Sequence, residues 1–368
     1  MVYYDQAFID PRLPFVATLA PADIVGTPTA YPFSQSYVDR ISANPASFPS
    51  NLVVTRRGND FNSRTEYAGQ WNWTAQYQVD SSTAIQASYV GSRALHLFTA
   101  RTLNLIDPRL GRRPRADLAD VIIAENSLRS WYHGMQISLN RRMTKGLTLD
   151  LYYTFAKTMG YGAPDSTLTF DGEVQDGEFN LAGSTGPKQS DLRHRWVAVH
   201  SYSLPSGFAK DGLLKTAFGG WQLQGIMTVR SGFPVNVLSG VDSYGNGRVA
   251  GQRPDLVSGQ TQYVKDNSAL IWLNGAAFDN NTPRAQRRFG NLGYNALRAP
   301  GAFSYDAALH KAFAIREKHR VTFRFELFNA LNHRNLGGPT AAITNPNFGR
   351  ILGASDGRNI QFALKYQF

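Results

Sequence analysis

No cysteine occurs anywhere in the 368 residues. That removes disulfide frameworks and thiolate metal sites, the usual supports of small secreted domains, while saying little about compartment. Charge is sparse as well: Asp, Glu, Lys and Arg together make up 18% of the chain. Long apolar runs are missing too. "VIIA" and "ALIWL" are among the longest, far short of the ~18 residues that a membrane-crossing helix requires, so a helical membrane protein is excluded. The opening "MVYYDQAFIDPRLPF" has no basic segment followed by an apolar one and does not read as a secretory leader.

What is there instead is aromatic and rich in glycine, with 17 Tyr, 22 Phe, 6 Trp and 33 Gly. Hydrophobic residues reach 42%, and the mean hydropathy stays slightly polar. Such a composition points away from a disordered chain and towards many strands joined by turns, with an ordinary soluble all-β protein as the plain alternative. The formal charge of +11 would suit a nucleic-acid binder, and arginine pairs occur in "RRGNDFNSR", "GRRPRAD", "NRRM" and "AQRRFG". They are scattered, with no basic helix, RNP-like aromatic motif or zinc-finger spacing. A solvated or lipid-headgroup-facing surface is the better reading, and no nucleic-acid partner is expected.

The last ten residues, "NIQFALKYQF", alternate with period two: Ile360, Phe362, Leu364, Tyr366 and Phe368 are apolar, and Gln361, Ala363, Lys365 and Gln367 are polar or small. In "GLTLDLYYTFAK" the apolar set is Leu147, Leu149, Leu151, Tyr153 and Phe155, with Asp150 between two leucines. A carboxylate there has to face water or a polar lumen, so the strand has one wet and one apolar face. The same pattern gives nine strands, at about 65–78, 83–93, 131–142, 147–157, 193–204, 219–231, 302–314, 319–330 and 358–368. Most approach the ~9 to 11 residues of a tilted transmembrane strand.

The connections alternate in length. "VDSS", "MTKG", "IREKH" and the modest "PSGFAKDGLLKTAFG" alternate with the long segments 94–130, 158–192, 232–301 and 331–357. Short turns at one end and long loops at the other are the asymmetry of outer-membrane barrels, and no propeller-like repeat is present. The predicted fold is all-β: an antiparallel transmembrane β-barrel, partial, with about nine or ten strands of a larger one.

Little here carries chemistry. Asp171, Glu173, Asp176 and Glu178 in "DGEVQDGEFN" could hold Ca²⁺, but their spacing departs from the EF-hand loop, and an acidic outward loop is the commoner reading. "GNGRVAG" misses the dinucleotide-binding glycine spacing. His194 and His333 sit at strand ends and read as hydrogen-bonding loop or interface residues. With no nucleophile-elbow or Walker sequence either, no enzyme activity, cofactor or metal is expected. Trp131, Tyr132, Trp196, Trp221 and Phe303 fall near the expected strand ends, where amphipathic rings favour a membrane interface.

"FRFELFNALNHRNLG" together with "NIQFALKYQF" resembles the C-terminal end of Oar-like TonB-dependent receptors of the bacterial outer membrane. "QWNWTAQYQVDSSTAIQASYVGSRALHL", "GWQLQGIMTVRSGFPV", "WLNGAAF" and "FGNLGYNALRAPG" are similar to the family in the same order, so the likeness covers nearly the whole chain. It implies an outer-membrane barrel whose complete form binds a ligand and moves it with TonB-derived energy. It also implies that Phe362, Leu364, Tyr366 and Phe368 form the signal by which the barrel-assembly machinery recognises the chain. Residues 1–64 would then be a truncated strand stub, near "VYYD", followed by an outward loop, and 65–368 the C-terminal barrel strands. The family's plug domain and TonB-contacting segment find no match here, so the TonB system would be reached only through parts outside this sequence. The competing reading is a non-transporting all-β surface protein, an adhesin or glycan-binding module. The ligand is not legible in the loops.

Overall fold

Period-two alternation gives each strand a dry and a wet face, and neighbouring strands satisfy one another's backbone groups only if those faces are kept in register. The computed structural model describes residues 16–18, 54–116, 118–161, 184–205, 219–249, 251–266, 268–316 and 319–368. The strands are β1 (Val16–Thr18), β2 (Val54–Asn59), β3 (Tyr67–Asp80), β4 (Thr83–Leu103), β5 (Leu118–Thr144), β6 (Leu147–Tyr161), β7 (Thr185–Pro187), β8 (His194–Ser203) and β9 (Gln222–Arg230). Short pieces within the next connection form β10 (Pro234–Val235), β11 (Asp255–Leu256), β12 (Tyr263–Asp266), β13 (Ile271–Leu273), β14 (Phe278–Asp279) and β15 (Leu297–Arg298). The chain then returns to the sheet with β16 (Ala302–Arg316), β17 (His319–Phe328) and β18 (Asn359–Gln367).

Nine of these strands make one antiparallel meander in the order β3, β4, β5, β6, β8, β9, β16, β17, β18. They are the nine that the alternation identifies. Among the described residues β3 pairs only with β4 and β18 only with β17, so the sheet is open and fits part of a barrel.

The register also gives the tilt. One row of partners runs Thr83, Arg141, Leu149, His200, Gly225, Ala307, Leu327. Thr83 is the first residue of β4, beside a short turn, whereas Leu327 lies eight residues beyond the start of β17. A climb of eight residues over six strand steps, at ~3.3 Å per residue and ~4.8 Å per step, is a tilt of about 40°. Barrel strands tilt by ~35 to 45°.

Two expectations need correction. β4 continues to Leu103 and β5 starts at Leu118, so most of the expected long connection 94–130 is paired strand, a ribbon that rises beyond the rest of the sheet. Along "LADVIIAENSLRS" both faces are partly buried, which erases the alternation that would mark a strand. Second, residues 54–59, expected within a loop, form β2, which pairs parallel to the upstream half of β5 from Val54↔Leu118 to Asn59↔Ala124, with β1 antiparallel on its far side. The expected stub at Val2 to Asp5 lies outside the described residues.

The two faces differ as the sequence demands. The row Tyr77, Ile85, Leu139, Leu151, Ala198, Met227, Tyr305 belongs to the apolar face, and much of that face is open, with Trp73 65% and Leu364 72% exposed. The row Thr74, Ser88, Gln136, Thr154, Arg195, Arg230 belongs to the polar face. The short turns keep these faces aligned. Lys145 and Gly146, at φ 52° and 82°, join β5 to β6 in a two-residue turn that requires left-handed backbone at both positions.

Candidate functional site

The dry core of the protein lies above the sheet, in its loops. Val235, Val237, Leu273, Ala277, Phe278, Leu292 and Leu297, all from the β9–β16 connection, form a buried cluster. Ala341, Ile343 and Phe348 of the β17–β18 connection pack against it. Phe278 and Phe348 meet edge to face at 5.5 Å. Two long loops thus fold together into one cap, fixed by backbone bonds such as Trp272 N–H to Gly349 O at 2.8 Å and Leu238 N–H to Ala341 O at 2.9 Å.

Polar side chains lock the cap internally. The Asp242 carboxylate accepts backbone N–H groups from Gly245 at 2.7 Å, Asn246 at 3.2 Å and Gly247 at 2.7 Å, and the Gln252 amide at 2.9 Å. Its acceptor sites are filled by the loop itself, so residues 245–247 of "GNGRVAG" form a self-supported turn. Hydrogen bonds from the Arg288 guanidinium, aided by the Asn291 N–H, hold the Asp255 carboxyl below the usual carboxylate range, against a smaller opposing effect of burial. Burial lowers the Arg253 guanidinium to about 10, partly countered by the Tyr294 phenol. Arg253 remains charged at neutral pH and donates from Nε to Leu292 O at 2.8 Å.

The cap is also tied to the strands below it. Arg298 donates to the Asp191 backbone oxygen at 3.0 Å and to its carboxylate, which is fully buried and also receives the Thr158 N–H at 2.5 Å. Asn295 reaches Pro187 O at 2.7 Å. On the other side Arg248 contacts Asp120 of the raised ribbon at 3.2 Å, and Arg113 shares the same carboxylate at 2.7 Å. These groups border a cleft of about 450 Å³ with Leu105, Asn246 and Val249.

Beneath the cap the polar face carries two further clefts. One of about 470 Å³ is lined by Gln86, Gln136, Ser138, Tyr152, Thr154 and Arg195. The other, about 370 Å³, lies among Thr148, Asp150, Ser201, Gln224, Asp306 and Glu326. Among the described residues no group of His, Asp and Glu is arranged to hold a metal ion; Asp171, Glu173, Asp176 and Glu178 lie outside them.

The aromatics singled out in the sequence are spread over both faces. Trp196, third in β8, lies on the apolar face and packs on Tyr153 at 4.6 Å, and Phe303, second in β16, faces the same way opposite Val229. Trp221 precedes β9 at the opposite end of the sheet, 6.1 Å from Phe323 and 5.5 Å from the Lys311 ammonium. Trp131 and Tyr132 occupy the middle of the extended β5, not a strand end, and as successive residues they face opposite ways, Tyr132 lying on the polar face over Gly134. A β-carbon at residue 134 would come within 2.3 Å of the Tyr132 hydroxyl. Phe362, Leu364 and Tyr366 share the apolar face of β18, opposite Phe325, Phe323 and Val321, with Phe368 beyond.

A set of tyrosine–histidine hydrogen bonds on the apolar face goes beyond what the alternation foretells: Tyr89 with His133 at 2.6 Å, Tyr153 with His194 at 2.9 Å, His200 with Tyr305 at 2.9 Å and His319 with Tyr366 at 2.5 Å. The available signal was a histidine at an apolar position of the alternation. Pairing each imidazole with a phenol satisfies polar atoms where water is scarce.

A family profile described as outer membrane beta barrel domain matches residues 4–361. No curated protein gives a match. Among solved structures, the outer membrane transporter YddB from Escherichia coli is similar at TM-score 0.46 and 10% identity, over 87% of this chain and 34% of that one. The FrpB iron transporter from Neisseria meningitidis is similar at TM-score 0.40 and 14% identity, over 83% of this chain and 31% of that one. The chain therefore spans about a third of the length of these structures.

Proposed function

The chain belongs to the outer membrane β-barrel domain family and lies in the bacterial outer membrane, and from that premise we propose that it forms the C-terminal wall of an Oar-like, TonB-dependent receptor. In this reading the apolar face meets lipid, the polar face lines a lumen, and the packed loops are the outward surface that first meets the ligand. One observation carries it: a single tilted meander has an open apolar face, a cleft-bearing polar face and, among the described residues, folded loops at one end only. A non-transporting adhesin would use the loops but leave the polar wall without a role.

The partners follow from the same reading. Outer-membrane lipid covers the apolar face. The barrel-assembly machinery engages β18 through Phe362, Leu364, Tyr366 and Phe368. TonB acts through plug and contact segments beyond this barrel wall. No catalytic residue or cofactor is assigned.

Energised transport is tested by comparing two deletion strains of the producing cell, one lacking this gene and one lacking TonB, for accumulation of a panel of labelled metal chelates and oligosaccharides. The reading expects at least one solute whose uptake falls in both strains. Solutes lost with the gene but retained without TonB would refute energised transport.

A further inference from the structure

We propose that Arg195 and Arg230 form a recognition point for a carboxylate- or phosphate-bearing solute on the lumenal wall beneath the loop cap. The inference rests on the barrel-wall reading and names the ligand chemistry that this wall favours. Arg195 of β8 and Arg230 of β9 are direct cross-strand partners on the polar face. Directly opposed side chains on an antiparallel pair have β-carbons ~5 Å apart, and like charges placed so repel. Among the described residues neither guanidinium forms an ion pair with a carboxylate. The nearest acids along these strands on the same face, Asp150 and Asp306, belong to the row of Val199 and Ile226, four residues away. That is ~14 Å at ~3.4 Å per residue, beyond a Debye length of ~8 Å at physiological salt.

The surroundings strengthen the excess of positive charge. Arg193, two residues before Arg195, and Arg298 both turn to the single buried carboxylate of Asp191, which leaves it saturated. The Arg230 guanidinium carbon lies 4.5 Å from the Phe233 ring centre, a contact that restrains the side chain without neutralising the charge. Arg195 opens onto the cleft of about 470 Å³, which the side chains of Gln86, Gln136, Ser138, Tyr152 and Thr154 also line. Two long guanidinium side chains borne by cross-strand partners can converge on the oxygens of one carboxylate or phosphate. Neutral hydrogen-bonding groups beside them suit the remainder of a hydroxylated or amide-bearing solute.

The test uses the closed barrel, the chain together with the strands that complete it, extracted from outer membranes into neutral detergent at fixed ionic strength, with inorganic phosphate and citrate as probes and glucose and choline as controls. Phosphate and citrate should raise the unfolding temperature of the parent, and the rise should vanish in Arg195→Gln and Arg230→Gln but persist in Arg320→Gln. Each single neutralisation should also raise the unfolding temperature without anion, because it relieves repulsion, a gain that a merely structural arginine would not give. Micelles containing anionic lipid should add nothing, since the pair faces the lumen; an equal response to them would assign the anion site to headgroups and overturn the solute reading. An anion response unchanged by either substitution overturns the proposal. So does a response that emerges only after Asp171, Glu173, Asp176 and Glu178 are changed to amides, which would make those carboxylates the occupant. Failure of the barrel-wall reading is recognised separately: cysteine placed at Gln136 would then escape a water-soluble thiol reagent in intact membranes, whatever the anion result.

Discussion

His200 and Tyr305, on strands that do not touch, are hydrogen-bonded at 2.9 Å across the glycine that separates them, Gly225 of β9. Their rings lie 5.9 Å apart and nearly parallel. A β-carbon at residue 225 would fall 2.5 Å from His200 Nε2 and 2.8 Å from the Tyr305 ring. Gly225→Val should therefore push both rings apart and cost ~1 to 3 kcal/mol as an overpacked site. Urea unfolding of the membrane-inserted protein measures this, and a cost below that of Gly69→Val, where nothing lies within 4 Å of the added carbon, would show that the ring pair is not held by the missing side chain.

The two faces of β6 should respond oppositely to charge. Leu151 lies between Leu139 and Ala198 on the apolar face, and Thr148 faces the other way beside Ser201. Leu151→Arg should cost ~2 to 4 kcal/mol near the bilayer midplane, and Thr148→Arg little. Folding titrations of the completed barrel, the chain with its missing strands supplied, into lipid vesicles compare them. Equal costs would mean that both faces are dry, as in a soluble sandwich.

The loop cap should come apart as a unit. Leu273 is 1% exposed at the centre of the cluster, and Leu273→Ala should cost the cap ~2 to 5 kcal/mol. Because Phe348 of the other loop packs on the same cluster, limited proteolysis should then cut both the 231–301 and 329–358 connections while the strands stay protected. Cutting confined to the first connection would mean that the two loops fold independently.

Acid should loosen the same cap. The Arg288 hydrogen bonds lower the Asp255 pKa, so the carboxylate's contribution is fully present above the unfolded value of ~4 and is lost as pH falls through the lowered folded value. Hydrogen exchange of residues 253–292, corrected for intrinsic rates, should show protection falling below about pH 4. Asp255→Asn should be looser at neutral pH and lack that step.

Much of this was written in the sequence, and the reason is local. Strands such as β6 and β17 show their faces through residues two apart, so period two finds them without knowledge of their neighbours. β5 escaped in part because side chains on both faces of its first half are partly buried, which removes the contrast on which alternation depends. The cap core was invisible for a related reason: "FPVNV" and "WLNGAAF" are too short to show a period, and their burial depends on Phe348, about 110 and 70 residues further on. The Arg195–Arg230 pairing needed the register between β8 and β9, which an 18-residue connection does not dictate.

These nine strands by themselves should not close into a working pore. β3 and β18 both run towards the short-turn end, because nine alternating strands are joined by eight reversals, an even number that returns the starting direction. Joining them would make a parallel pair, whereas bacterial single-chain barrels are antiparallel with even strand numbers. Two copies in the same membrane orientation meet the same difficulty, since β3 of one would lie parallel to β18 of the other. Closure at nine strands would also leave an interior scarcely wider than its own side chains, yet the polar wall holds clefts of about 370 and 470 Å³. Left open, each edge offers unpaired backbone groups to hydrocarbon at a cost of several kcal/mol per group. The isolated chain should aggregate or associate in vesicles, and a co-supplied segment with an odd number of strands should convert it to a compact, heat-modifiable species. Planar-bilayer recording is the decisive measurement: discrete, reproducible conductance from a compact monomer of this chain alone would mean that the sheet closes in a way its register does not allow.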